Sequence, residues 1–228
     1  MIKFHGVTKA FQHDVVAIDN IDLHIRKGEF VYLVGPSGAG KSTLLKLIYR
    51  EERPDQGQIF IDGEDITYIH PADIPLLRRD VGVVFQDFKL LPDRTVYENI
   101  AFTLRVIDTT PRAIANRVPE LLQLVGLQDR ANHFPNQLSG GEQQRCALAR
   151  AIASTPLIII ADEPTGNLDP ETSMEIVRLL GDINRMGATV VMATHDKAVV
   201  NALPRRVVEM RSGQVTRDDA SGRYEYAG

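Results

Sequence analysis

Cysteine is nearly missing from this chain: Cys146 is the only one in 228 residues. A lone thiol excludes an intrachain disulfide framework and points to a reducing compartment. A basic excess is missing too. The formal net charge is −4, whereas a duplex-DNA reader draws most of its affinity from phosphate neutralisation and carries a surplus of Lys and Arg. No nucleic-acid partner is expected. Long apolar runs do not occur either. The densest, Phe30 to Val34 and Leu157 to Ala161, hold five residues each, and a membrane span needs roughly 20. If the protein works at a membrane, another chain must hold it there. The opening Met1-Ile2-Lys3-Phe4-His5 has neither the apolar stretch nor the cleavage site of a signal peptide, so no leader is expected. Internal repeats and low-complexity tracts are lacking. What is present, 43% hydrophobic and 25% charged residues, is the composition of a globular protein, with room for one large α/β domain or for a core plus a small subdomain.

The pattern along the chain has three textures. Phe30 to Val34, Val81 to Phe85, Leu157 to Ala161 and Ala188 to Ala193 are short, apolar and β-rich, and helix-like sequence separates them. That alternation predicts a mainly parallel sheet with helices on its faces. Ile2 to Val7, Val16 to Ile25 and Gln58 to Ile61 read as strands without intervening helices, which predicts an antiparallel sheet beside the parallel core. From roughly 88 to 155 the pattern turns helical, as expected of an inserted α-helical subdomain. Within it, Thr95-Val-Tyr-Glu98 is a capping-box pattern, and Thr110-Pro111 places proline at a first helical position. The tail after Gly213 is polar and is expected to be loosely ordered.

Two motifs define a chemistry. Gly35-Pro36-Ser37-Gly38-Ala39-Gly40-Lys41-Ser42, followed by Thr43, fills the phosphate-loop pattern G-x-x-x-x-G-K-S/T. It falls between a buried strand and a helix expected over Ser42 to Arg50. Glycines let backbone N–H groups approach an anionic triphosphate, and the helix offers its N-terminal dipole. Lys41 is expected to reach the β- and γ-phosphates and the Ser42 hydroxyl to bind Mg²⁺. The second motif is Leu157-Ile-Ile-Ile-Ala161-Asp162-Glu163, an apolar strand ending in two carboxylates. Asp162 is expected in the Mg²⁺ shell and Glu163 as the base that polarises the attacking water. An acidic pair after a strand can also do no more than cap a helix. Together the motifs predict no more than a nucleotide hydrolase that uses Mg²⁺.

Leu138-Ser139-Gly140-Gly141-Glu142-Gln143-Gln144-Arg145 narrows the class. Read locally, Ser139-x-x-Glu142 is a capping box opening a helix over Gly141 to Ser154. The run also closely resembles the signature motif of the ABC (ATP-binding cassette) ATPases. That resemblance covers almost the whole chain and implies the ABC ATPase fold, α/β with a P-loop core. It implies a head-to-tail homodimer with two ATP molecules at the interface, in which the run Ser139, Gly140, Gly141 and Glu142 faces the nucleotide of the opposing subunit and Ser139 and Gly141 contact its γ-phosphate. It implies further roles residue by residue. Phe11 matches the aromatic that stacks on adenine, although an aromatic there can equally be core. Gln86 matches the glutamine that contacts Mg²⁺ and relays to a membrane partner. Asn167-Leu168-Asp169 matches a loop crossing the dimer interface, and Asp169 before Pro170 is also an ordinary helix cap. His195 matches the histidine on the γ-phosphate. Cys146, just past the signature, reads as a small buried hydrophobe.

The stretch Val83 to Asn99, with Asp87-Phe88-Lys89-Leu90-Leu91-Pro92-Asp93 at its centre, resembles the branch of the family that serves bacterial cell division. That resemblance implies a permease-like membrane partner, a peripheral location on the cytoplasmic face of the plasma membrane, and signalling to cell-wall hydrolases. Lipoprotein-releasing and macrolide-efflux ATPases share the same plan and are the alternative. A nucleotide-gated scaffold with little hydrolysis is an alternative of another kind, which the base at Glu163 disfavours. Phe88, Leu90, Leu91 and Tyr97 are expected to line a partner groove from an exposed connecting loop.

Overall fold

The computed structural model describes residues 1–12 and 15–224. Ten strands and seven helices are described: β1 (Ile2–Phe11), β2 (Val15–Ile25), β3 (Phe30–Val34), α1 (Lys41–Ile48), β4 (Gln56–Ile61), β5 (Glu64–Asp65), α2 (Ile74–Arg79), β6 (Val81–Phe85), α3 (Val96–Val106), α4 (Pro111–Leu124), α5 (Gly140–Ala151), β7 (Ile158–Asp162), α6 (Pro170–Arg185), β8 (Thr189–Ala193), α7 (Lys197–Ala202), β9 (Arg205–Arg211) and β10 (Gln214–Gly222). They form two sheets. The larger has the order β10-β9-β3-β8-β7-β6, parallel from β9 to β6, with β10 antiparallel on its edge. The smaller is antiparallel, in the order β2-β1-β4-β5.

The apolar strands are continuous in sequence because both faces of the large sheet are covered. Tyr32, Ile159, Ala161, Val190 and Met192 join one hydrophobic cluster with α3, α4, α5 and α6. Their neighbours Val31, Leu33, Ile158, Ile160 and Val191 join a second cluster with α1 and the antiparallel sheet. The period of two along each strand sends alternate residues into opposite cores. Nucleotide chemistry in such sheets belongs at the carboxyl ends of the parallel strands, and the phosphate loop leaves β3 at that end.

Several expectations need correction. The tail is not loose as far as Tyr224. Residues 214–222 pair with β9, because charged partners face each other across the ladder: Arg206 donates to both carboxylate oxygens of Asp218 at 2.7 Å. Tyr224 is buried; the last four residues lie outside the described ones. α1 ends before Arg50, which sits at φ 55. β1 runs past Val7 to Phe11, sustained by antiparallel pairing with β2 as far as Val15. α5 stops at Ala151, short of Ser154. Phe88, Leu90, Leu91 and Tyr97 are half-buried, not exposed, since Leu90 and Tyr97 pack against the helical side of the core. The caps at Thr95 and Thr110 are present as expected, the first as a full capping box.

Candidate nucleotide site

The phosphate loop is built by close approach. An added Cβ at Gly40 (φ +101) would lie 2.3 Å from the Ala17 carbonyl, and one at Gly35 would lie 2.2 Å from the Met210 carbonyl. No larger residue fits at either place. Gly213, in the β9–β10 turn, donates its N–H to the Ala39 carbonyl at 3.1 Å, and its own carbonyl accepts from Asp19 N at 2.9 Å. The loop is thus braced from β2 and from the distant β9 hairpin.

Pro36 to Thr43 line a cavity of about 790 Å³ with Phe11, Ala17, Gln86, Glu163 and His195. Lys41 is only 7% exposed. Its ammonium donates to the carbonyls of Gly35 (2.8 Å) and Pro36 (3.1 Å) and stands 3.9 Å from Glu163 Oε1. Phe11 is exposed, with the Lys9 ammonium 5.3 Å from its ring centre. Asp162 ends β7, and its Oδ1 accepts from the Ser42 hydroxyl at 3.1 Å. Burial pushes its carboxyl above the ordinary range, opposed by that hydrogen bond and by Lys41 and Lys46.

Glu163 carries the backbone outlier of the site, φ +49. Its N–H donates to the Ala193 carbonyl at 3.0 Å and its carbonyl accepts from Gly166 N at 3.1 Å, so the left-handed turn is held from both sides. The turn aims the side chain at His195. Oε2 lies 2.8 Å from His195 Nδ1 and accepts from the His195 backbone N–H at 3.3 Å. With the carboxylate ionised, the proton of the first contact sits on Nδ1. A second cleft, about 360 Å³, adjoins through shared Ser42, Gln86 and Glu163 and adds Asp162 and Asn167. The Gln86 carbonyl accepts from Asn167 Nδ2 at 3.2 Å.

This donor set fits Mg²⁺. It offers a hydroxyl, a carboxylate and an amide oxygen, all hard ligands. Among the described residues no group of three or more His, Cys, Asp or Glu could hold a metal alone. Magnesium is usually held by one or two carboxylates together with substrate phosphates, rather than by an all-protein cage.

Ser139 to Glu142 and Asp169 form a separate cluster outside the cavity lining. Ser139 Oγ accepts from Glu142 N (3.2 Å), and Glu142 Oε2 accepts from Ser139 N (2.8 Å). Arg130 donates to Glu142 Oε1 at 2.9 Å. The Arg130 bond, then the Ser139 N–H, lower the Glu142 carboxyl to about 2. Asp169 caps α6 through Thr172, whose N–H (3.0 Å) and hydroxyl (2.6 Å) both donate to it. The two helix starts touch: a Cβ on Gly141 would stand 2.5 Å from Thr172 Cγ2. Ala17 was not foreseen in the cavity wall. It carries no sequence signal, because an alanine contributes backbone and a methyl.

A phosphate loop and a carboxylate pair at the carboxyl end of a parallel sheet, with a capped glycine-rich helix beside them, define an ATP-binding cassette ATPase. The comparisons agree. Residues 18–166 match the ABC transporter family. The chain is 54% identical, over 98% of each partner, to the cell division ATP-binding protein FtsE of Bacillus subtilis. It is 50% identical to that of Streptococcus pneumoniae, over 99% of the chain and 98% of the relative. The dimeric post-hydrolysis structure of the ATP-binding cassette MJ0796 bound to ADP and Pi superposes with a TM-score of 0.87 at 38% identity, covering 98% of this chain and 100% of that one. The chain belongs to the ABC transporter family and, within it, to the FtsE group of cell-division ATP-binding proteins.

Proposed function

We propose that this ATPase closes as an ATP-bound homodimer beneath an FtsX-type permease subunit, on the cytoplasmic face of the plasma membrane, and that its turnover signals to peptidoglycan hydrolases. The observation that carries the hydrolytic reading is the seating of Glu163 between His195 and Lys41 at the cavity wall. The phosphate-loop N–H groups and Lys41 bind the triphosphate and neutralise its charge. Glu163 takes the proton of the attacking water as its oxygen bonds to the γ-phosphorus and the bond to the ADP oxygen breaks. His195 orients Glu163 and faces the γ-phosphate; Phe11 stacks on the adenine. Ser42, Asp162 and Gln86 would hold Mg²⁺, which would supply charge neutralisation to the triphosphate.

Two copies are needed because Ser139, Gly140, Gly141 and Glu142 lie outside their own chain's cavity. The second copy supplies them, with Asp169 at the crossing. The relative bound to ADP and Pi is itself a dimer, which supports this. No described helix is long and apolar enough to cross a membrane, so attachment falls to a partner, met by the helical stretch 88–155 through Phe88, Leu90, Leu91 and Tyr97.

Glu163→Gln tests the proposal. The amide keeps the shape and loses the base, so turnover should fall at least about 100-fold while ATP still binds. Light scattering should then show an ATP-dependent dimer, and membranes holding it should yield a polytopic partner on purification. Hydrolysis at the parental rate would remove Glu163 as the base. A monomer at saturating ATP would remove the composite site, and purification without a polytopic chain would remove the membrane partner.

A further inference from the structure

The segment leaving β6 places two consecutive non-glycine residues in the left-handed region, Phe88 at φ +59 and Lys89 at φ +50. Left-handed backbone is strained for any residue with a Cβ, so the pair needs a holder. Arg150, in the last turn of α5, donates from Nη2 to the Phe88 carbonyl at 2.9 Å and from Nη1 to the Lys89 carbonyl at 2.5 Å. Upstream, the buried Gln144 donates from Nε2 to the Phe85 carbonyl at 3.5 Å. One helix therefore grips three carbonyls on either side of Gln86. The same helix begins at Ser139, and its 12 residues make it about 18 Å long at ~1.5 Å per residue.

We infer that Arg150 is a positioning residue for ATP turnover: it ties the backbone after Gln86 to the far end of the helix that presents Ser139 to Gly141, so that both ends move as one body. The inference rests on the ATPase reading above. Arginine is required because its planar fork spans two carbonyls, whereas a lysine ammonium is a point donor. The phosphate loop and Phe11 stand on other elements. Loosening the latch should therefore misplace Gln86 while leaving the phosphate-loop and adenine contacts in place.

Arg150→Lys keeps the charge and surrenders one carbonyl. Its kcat should fall on the order of tenfold, with KM for ATP within about twofold of the parent. Lys89→Gly in that background should restore kcat to within about threefold, because glycine takes positive φ without steric cost. Hydrogen exchange gives a readout that needs no turnover, which separates failure here from failure of the ATPase reading. Amides of residues 88–91 should exchange faster in Arg150→Lys and recover in the double variant, while those of residues 40–43 stay unchanged. Unchanged exchange at 88–91 overturns the inference. So does a uniform rise that reaches β3 and β8, or a kcat loss that Lys89→Gly fails to restore; either would make Arg150 an ordinary part of the packing.

Discussion

Glu142 is placed where a carboxylate ionises with unusual ease. Arg130 and the Ser139 N–H both favour its charged form and hold it near 2, against an ordinary value of 4.5. The folded value lies below the unfolded one, so the stabilisation is complete above about 4.5 and is lost as pH falls from there through about 2. Glu142→Gln should lower the melting temperature at neutral pH and flatten its acid limb over that window. A parallel acid limb in the variant would show that other carboxylates carry the effect. The Ser139–Glu142 half of this cluster was legible because a capping box is local. Arg130 was not, since it arrives by tertiary folding. In the same way Lys41, Ser42, Asp162 and Glu163 were marked by their motifs, while the brace that Gly213 gives to Ala39 left no trace in the sequence.

At the scale of elements, the contact between α5 and α6 is tight enough to be tested by one methyl. Alanine in place of Gly141 gains about 1 kcal/mol of helix propensity. Overpacking costs about 1–3 kcal/mol. The second should win, because the struck methyl belongs to Thr172, whose hydroxyl is tied to Asp169. Gly141→Ala should therefore be destabilising in a denaturant melt. Thr172→Ser removes the methyl and keeps the hydroxyl, and in that background Gly141→Ala should become neutral or stabilising. Persistence of the loss would place the strain elsewhere. The elements most legible in advance were β3, β6, β7 and β8, whose double-sided burial leaves continuous apolar runs. β9 and β10 were missed. Arg205 and Arg206 open β9, and β10 is an edge strand held by ion pairs such as Arg217 with Glu209, so neither shows an unbroken apolar run. α2 and α7, six residues each, are too short for helical periodicity to register.

For the whole molecule the lone cysteine is a gauge. Cys146 is fully buried, and burial pushes its thiol up to about 12. A thiol reagent should label it only through unfolding of the helical side. ATP with Mg²⁺ should slow that labelling in the Glu163→Gln variant, where nucleotide persists. At a hundredfold excess over Kd the protection is about 2.7 kcal/mol, or roughly 100-fold. Labelling that ignores nucleotide would mean the cysteine is reached by local fraying instead.

The brace between Gly213 and Ala39 has a consequence in time. A ribosome makes the phosphate loop early and its strut late. Roughly 170 residues separate the two, which at about 5–20 residues per second takes on the order of ten to thirty seconds. Through that interval the nascent chain has the phosphate-loop motif without the full set of struts around it. ATP should then seal a molecule whose second half is already in place rather than template the early half of the fold.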